Sequence, residues 1–402
     1  MSFQQGLSGL NAAAKNLDVI GNNVANSNTS GFKQGVAAFG DVFAASLGGG
    51  GGVQVGIGTQ VTGVGQQFSQ GNITVTNSAL DVAINGKGFY RLSENGVISY
   101  TRNGGFSQDK TGYLVGSNGM NLTGYQAVNG VIVPGVLENL QMSTADLLPQ
   151  QTTTAVVGAN LASTDAVMPT ASFLSTDPAT YNFSTASTAY DSLGQAHTMT
   201  YYFNKTASNA WDVNVYIDSA AANGAGVSSL TFNSSGTYLG ATNTVKTAAL
   251  ANGASALSIT VDYTNMTQFG SGFGVNSLSQ DGFASGQLSG FNIGADGILL
   301  GRYSNGQAQK LGQIALTNFA NPQGLSPLGD SRWAETSSSG VPLTGTPGTA
   351  SLGLLQASAK EDSNVDLTAE LVNMITAQRV YQANAQSIKT QDAVLQTLVN
   401  LK

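Results

Sequence analysis

SNVDLTAELVNMITAQRVYQANAQSIKTQDAVLQTLV, residues 363–399, contains neither glycine nor proline. Leu367, Leu371, Met374, Gln378, Tyr381, Ala385, Ile388, Asp392, Leu395 and Val399 alternate spacings of four and three, the signature of one helix face. The opening Ser363-Asn364-Val365-Asp366 supplies the cap. At about 1.5 Å per residue the predicted helix is roughly 54 Å long. No other stretch reads as helix over such a length.

The opposite end carries the same pattern more weakly. Phe3, Leu7, Leu10, Ala14, Leu17, Gly21 and Val24 again alternate four and three, and Ser2 with Gln5 reads as a capping box. The breaker cluster Asn26-Ser27-Asn28-Thr29-Ser30-Gly31 ends it. Gly6, Gly9 and Gly21 each cost about 1 kcal/mol relative to alanine, so this helix is poor in isolation. Two such helices alone in water are marginal. They are expected to order when neighbours bury both faces. Gly21 and Asp392 stand out, because both occupy seam positions that should be apolar.

Between the ends the composition changes to Gly, Thr, Ser, Val and aromatics in short β-like runs. Turn signals recur at Asn85-Gly86, Asn95-Gly96, Asn103-Gly104, Asn118-Gly119, Asn129-Gly130, Asn223-Gly224, Asn252-Gly253 and Asn305-Gly306, with Asp281-Gly282 and Asp296-Gly297. Asn-Gly suits a type I′ turn, in which both central residues have positive φ. Residues 146–284 hold only Lys205 and Lys246 as bases and are heavy in Ala, Ser and Thr. The better punctuated, more aromatic flanks on either side read as one parent domain with an insertion. A glycine run at 48–52 reads as a flexible loop.

The 402 residues are 41% hydrophobic but only 9% charged, against about 25% in an ordinary soluble protein. The surface must be covered by Ser, Thr, Asn, Gln and Gly, which repel weakly and suit side-by-side packing. The net charge of −7 is spread without basic blocks, which argues against nucleic acid and anionic membranes. Cysteine is absent, so disulfides, thiolate metal sites and cysteine nucleophiles are excluded. The first eleven residues lack the basic start and apolar run of a cleaved secretory leader, and export without one is expected.

No catalytic, cofactor or metal site is expected. His197 is the sole histidine, which excludes a multi-histidine metal site. It lies in Asp191-Ser-Leu-Gly-Gln-Ala-His197, a turn followed by a strand, with no marked nucleophile beside it. Gly56-Ile-Gly58 lacks the third glycine of a dinucleotide loop.

Residues 16–33, NLDVIGNNVANSNTSGFK, closely resemble the N-terminal signature of bacterial flagellar rod and hook proteins. Its signature positions here are Asn22, Asn23, Asn26, Gly31, Phe32 and Lys33. Residues 363–392 resemble the family's C-terminal counterpart. Residues 80–90 (LDVAINGKGFY) and 100–106 (YTRNGGF) look like its shared β motifs. The length, residues 311–325 (LGQIALTNFANPQGL) and Trp333-Ala334 resemble the hook branch rather than the shorter rod branch. The resemblance is weak over residues 146–284.

The resemblance implies a mainly β chain with long terminal α-helices that pair as a coiled coil. Residues 1–26 with 364–402 would form an inner tube, 27–70 an extended linker, 71–145 with 285–363 a middle β domain, and 146–284 an outer insertion. Leu7, Leu10, Ala14, Leu17, Val24, Leu371, Met374, Tyr381, Ala385, Ile388, Leu395 and Val399 would form the assembly interface. The implied function is a structural subunit of a curved tube, the hook, which acts as a universal joint and lines an export channel. Implied partners are further copies of the chain, a distal rod protein, a hook cap, a hook–filament junction protein and the flagellar type III export apparatus. Neither nucleic acid nor a small-molecule substrate is among them. The implied location is extracellular, in the flagellum. A distal rod protein is the nearest alternative; a secreted β-rich adhesin or carbohydrate-binding module is the alternative from another class.

Overall fold

The computed structural model describes residues 2–42, 56–143, 145–168, 173–222, 227–240, 243–246, 250 and 252–400. Both expected helices form, α1 (Ser2–Ala25) and α2 (Leu367–Asn400), and they pack on each other. Nearly all remaining regular structure is strand, so the chain is mainly β with paired terminal helices. The glycine run at 48–52 and the turn at Asn223-Gly224 lie outside the described residues.

Each helix end follows from its local sequence. Asp366 caps α2, its Oδ1 accepting from the N–H groups of Thr368 at 2.9 Å and Ala369 at 3.1 Å. At the far end of α1, the Asn26 side-chain amide donates to the Asn22 carbonyl at 2.9 Å, closing the helix at the breaker cluster. The capping box expected of Ser2 and Gln5 falls on the Ser2 side chain, which lies outside the described residues. The Gln5 amide donates to the Gly56 carbonyl at 2.6 Å, tying α1 to the chain that returns beside it.

Two compact units divide the chain. One comprises Met1–Ser143, Gly290–Gly301 and Ala308–Lys402; the other comprises Thr144–Ser289 and Arg302–Gln307. In the first, strands Phe89–Glu94, Val97–Thr101, Asn121–Val128 and Ala308–Ile314 are the spine of a large antiparallel sheet. Its core gathers Ile84, Tyr90, Leu92, Leu114, Leu122 and Ile314. A smaller aromatic cluster joins Phe89, Tyr100, Phe319 and Trp333, with Phe68 packed edge-on against Phe89 and Trp333.

The described part of residues 27–70, the segment expected as an extended linker, contains two strands. β1 (Gly35–Val42) pairs antiparallel with β2 (Gly58–Gln66), and both strands pack along α1. The chain then enters the β body through Ile73–Val75, which pairs with Ala359–Glu361, the last strand before α2. The next strand in, Val82–Asn85, pairs with Leu354–Ala357. Entry and exit strands are therefore neighbours, which is why two helices at opposite ends of the sequence meet.

In the second unit, Thr154–Ala162 pairs in parallel with Ser258–Asp262 and Thr267–Phe269, and antiparallel with Gly274–Gln280. A separate antiparallel sheet joins Phe183–Tyr190, Ala196–Ala207, Ala210–Ile217 and Val227–Thr231. Both sheets contribute to one core, with Val157 and Ile259 from the first and Met199, Phe203 and Trp211 from the second. The alternation along Ala196–Ala207 places His197, Met199, Tyr201 and Phe203 inward.

Turn chemistry differs from the simple expectation. Among the described Asn-Gly and Asp-Gly pairs, only Asn95-Gly96 and Asn129-Gly130 have both residues at positive φ. Two further such turns, Asp218-Ser219 and Asp330-Ser331, carry no glycine. Gly104 serves close approach instead: a Cβ there would collide with the Val82 carbonyl oxygen.

Candidate functional site

The paired chain ends are the most distinctive surface of the first unit. α1 presents a small-residue face to α2. A Cβ on Gly6 would approach Ile388 Cγ1 at 3.1 Å, and one on Gly9 would meet the Asn384 side chain at 2.9 Å. The glycines that weaken α1 as an isolated helix are what lets the two backbones come close.

This contact rotates both expected seams. The inward side of α2 carries Glu370, Ala377, Asn384 and Ile388, and of these Glu370 and Ala377 are buried. In α1 the buried positions include Gly6, Ala12, Ala13, Ile20 and Asn23. Gly6, Ala13, Ile20, Glu370, Ala377 and Asn384 each stand one position N-terminal to a residue of the expected heptad. Leu7, Leu371 and Leu395 accordingly remain 44%, 45% and 54% exposed, and Tyr381 is exposed as well. Leu10, Ala14, Leu17, Val24, Met374, Ala385 and Ile388 are half-buried. The side chain of Val399 lies outside the described residues. Rotation also accounts for the two polar oddities: a Cβ on Gly21 would have no neighbour within 4 Å, and Asp392 accepts from Gln396 on the outer part of α2.

The signature after α1 forms a set of ties. Asn23, buried, donates from its amide to the Gly35 carbonyl and accepts from the Gly35 N–H, both at 2.8 Å. It thus anchors the start of β1 to the helix. Gly31, at φ +71°, donates to the Glu361 carbonyl at 2.8 Å, and a Cβ there would collide with the Asn103 backbone. Phe32 is half-buried. Asn22 and Asn26 close the helix.

Lys33 carries the central contact. Its Nζ donates to Glu361 Oε1 at 2.6 Å and to the Ser69 carbonyl at 2.7 Å. Arg102 donates from Nε to the other oxygen of Glu361 at 2.8 Å and from Nη1 to the carbonyls of Gly86 and Gly88. The Gly71 N–H adds a bond to Glu361 Oε1 at 2.9 Å. Burial pulls the Lys33 ammonium below its usual range, and the Glu361 carboxylate works against that pull. One carboxylate therefore holds together the exit of α1, the β body and the approach to α2. Asn364 reinforces the knot, accepting from the Gln34 N–H at 2.8 Å and donating to the Gln67 carbonyl at 2.8 Å.

A cleft of about 600 Å³ opens between α1, α2 and β1, lined by Gly9, Ala13, Ile20, Phe39, Ala377 and Asn384 among others. Among the described residues of its lining, Glu370 alone is charged.

Sequence reading missed Gly6, Gly9, Glu361, Arg102, Asn364 and Glu370. The i, i+3 spacing of Gly6 and Gly9 was a usable signal for close helix approach. For Glu361 the signal was only that so few carboxylates are available to neutralise Lys33.

His197 occupies a different environment in the second unit. Its Nδ1 lies 2.5 Å from Asp218 Oδ2 and its Nε2 lies 3.3 Å from Asp191 Oδ2. Burial opposes the charge on the ring, but the hydrogen bonds to Asp218 and Asp191 outweigh it and hold its pKa above the usual value. Burial also opposes charge on Asp191, yet Asn252, the Gln195 and Leu193 N–H groups and the His197 ring hold its carboxyl below the usual range. Both ring nitrogens are engaged by carboxylates, so neither is available to a nucleophile.

Four family models match the chain: "Flagella basal body rod protein" at residues 3–33, "Flagellar hook protein FlgE/F/G D1 domain" at 83–157, "Flagellar basal body protein FlaE D2 domain" at 160–283, and "Flagellar basal body rod FlgEFG protein C-terminal" at 356–401. The chain is 45% identical to the flagellar hook protein FlgE of Salmonella typhimurium over 414 residues, covering 100% of both chains. It is 44% identical to that of Escherichia coli over the full length of both, and 34% identical to that of Rhizobium meliloti, covering 100% of this chain and 98% of the relative. The crystal structure of Helicobacter pylori flagellar hook protein FlgE2 shares the fold, with a TM-score of 0.55 at 14% identity, over 72% of this chain and 99% of that one.

Proposed function

The chain belongs to the flagellar hook protein family, and on that premise we propose that its terminal helix pair is the element through which copies polymerise into the hook. The observation that carries this is the rotated seam. α1 and α2 already pack through small residues, yet Leu7, Leu371 and Leu395 stay exposed on the helices. A monomer gains nothing from a row of exposed leucines, whereas neighbouring copies would remove it from water at about 25 cal/mol per Å² of apolar surface.

In this reading the helix pairs of residues 1–26 and 364–402 build the inner tube around an export channel. Residues 27–70 brace the tube, residues 71–145 with 285–363 form the middle shell, and residues 146–284 face outward. The product is a curved tube that acts as a universal joint, transmitting torque from rod to filament through contact rather than catalysis. The low charge of the chain suits shells that slide over one another. Its partners at either end would be a distal rod protein and a hook–filament junction protein, with a hook cap during growth. Export would proceed through the flagellar type III apparatus without a cleaved leader, to an extracellular position.

Leu395→Asp and Leu17→Asp test the assignment. Each should leave the β body folded, judged by unchanged fluorescence of Trp211 and Trp333, and abolish polymer in the electron microscope. Tubes of normal length from either variant would sink it.

A further inference from the structure

Glu370 sits in the first turn of α2 with 3% of its surface exposed. Its Oε1 accepts from the Gln34 side-chain amide, while its Oε2 has no hydrogen-bond partner among the described residues. A buried carboxylate oxygen left unsatisfied is costly, and cations or donors are its natural remedy. Around it lies the cleft of about 600 Å³ between α1, α2 and β1, far larger than the roughly 30 Å³ share of one water. The walls are apolar or carry amides and hydroxyls, and among the described residues they hold no other charge.

α2 supplies a complementary group on its other side. Arg379 is exposed and forms no ion pair among the described residues. It follows Glu370 by nine residues, which at about 3.6 residues per turn is two and a half turns. The two therefore lie on opposite faces of one helix, too far apart to meet within a chain. Lys389 is also exposed, but nineteen residues from Glu370 place it on the flank rather than the opposite face.

We infer that the cleft receives the α2 helix of a second copy, whose Arg379 guanidinium pairs with Glu370. The contact is heterologous: each copy offers its carboxylate to one neighbour and its guanidinium to the other, and such contacts propagate into helical polymers instead of closing as dimers. This deepens the proposed assembly through the terminal helices and rests on it. The planar guanidinium fits the demand better than a lysine, because once the Glu370 carboxylate turns its buried Oε2 toward the cleft, one nitrogen can meet it while another meets Asn373 or Asn384 on the same wall.

The test is a double-mutant cycle on the full chain, read as the monomer concentration at which polymer appears. Glu370→Gln keeps the shape and the bond from Gln34. It and Arg379→Gln should each raise that concentration about tenfold. The double variant should match either single one, not their product of about a hundredfold. A strictly additive double variant, or an effect of Glu370→Gln with none of Arg379→Gln, as a trapped water would give, overturns the contact. Coupling of Glu370 to Lys389→Gln in place of Arg379→Gln also overturns it.

A second measurement exploits the absence of native cysteine. Copies carrying Glu370→Cys and copies carrying Arg379→Cys are mixed with wild-type chain, assembled and treated with a short bis-maleimide. Cross-linked dimer should form in the mixture and not with either variant alone; dimer within one variant, or none in the mixture, rejects the pairing. Failure of the wild-type chain to polymerise at all would count against the underlying assembly reading, whereas wild-type tubes without coupling would reject only this contact.

Discussion

Lys33 and Glu361 are 328 positions apart, yet their charged groups meet at 2.6 Å with neither side chain exposed to solvent. Arg102 completes a buried trio around the same carboxylate. Two cations and one anion out of water make each member depend on the others, because removal of the shared carboxylate leaves like charges buried together. The knot fixes where both helices leave the β body, and a helical assembly built on those helices inherits its geometry from it.

Glu361→Ala should therefore destabilise the first unit by about 3–5 kcal/mol, since it strands Lys33 and Arg102. Lys33→Met should cost less, because Arg102 still neutralises Glu361 and the methionine refills the space. Urea unfolding in a Trp211→Phe background, followed through Trp333 fluorescence, ranks the two. The reverse order would mean that Lys33, not Glu361, is the hub.

The glycines of α1 should respond to alanine with opposite signs. Gly21 has open space around a Cβ, so Gly21→Ala should stabilise the helix by about 1 kcal/mol through propensity alone. At Gly9 the added methyl would stand 2.9 Å from the Asn384 amide; turning that amide away gives up its bond to the Val380 carbonyl and loosens the contact of α1 with α2, which should outweigh the same propensity gain. Amide exchange across α1 distinguishes them: slower for the first variant, faster for the second.

Those glycines also mark how far the sequence can be read. Helix existence and the β body were legible because periodicity and turn residues are local signals. The register of α1 on α2 was not. Hydrophobic counting ranks Leu7 and Leu371 above Gly6 and Glu370, yet the closest contact is made where side chains are smallest. The tie between Lys33 and Glu361 was equally hidden, since pairing across 328 positions leaves no trace in spacing. Resemblance to a family supplied Lys33 as a signature position but not its partner. In the β body, Asp218-Ser219 and Asp330-Ser331 adopt turns that composition assigns to Asn-Gly, because strand register there dictates the backbone.

His197 makes the second unit sensitive to alkali. Its pKa is raised above the ordinary histidine value of 6.5 by Asp218 and Asp191 against the opposing effect of burial. The contribution is complete below about pH 6.5, where the ring is charged in both folded and unfolded chains. It declines as pH rises past that point and is lost once pH exceeds the folded-state value. Unfolding of a Trp333→Phe chain, followed through Trp211, should show stability falling from neutral to alkaline pH. His197→Gln should flatten that slope; an unchanged slope would assign it to other groups.

Asn23 offers the sharpest probe of the brace between α1 and β1. Its amide both donates to and accepts from Gly35 at 2.8 Å, and the residue is buried. Asn23→Ala strands the half-buried N–H and carbonyl of Gly35 together, each worth up to about 1–3 kcal/mol if left unsatisfied. Gln34 and Asn364 hold the neighbouring backbone independently, so the loss should stay local. Amide exchange at Gly35 should accelerate by at least about tenfold while the strands around Tyr90 remain protected. Asn23→Asp separates the two halves of the bridge. It retains the acceptor for the Gly35 N–H but loses the donor to the Gly35 carbonyl, so it should slow exchange at Gly35 relative to the alanine variant while recovering only part of the lost stability. Equal exchange in both variants would show that Asn23 acts by filling space and not by bridging the helix to the strand.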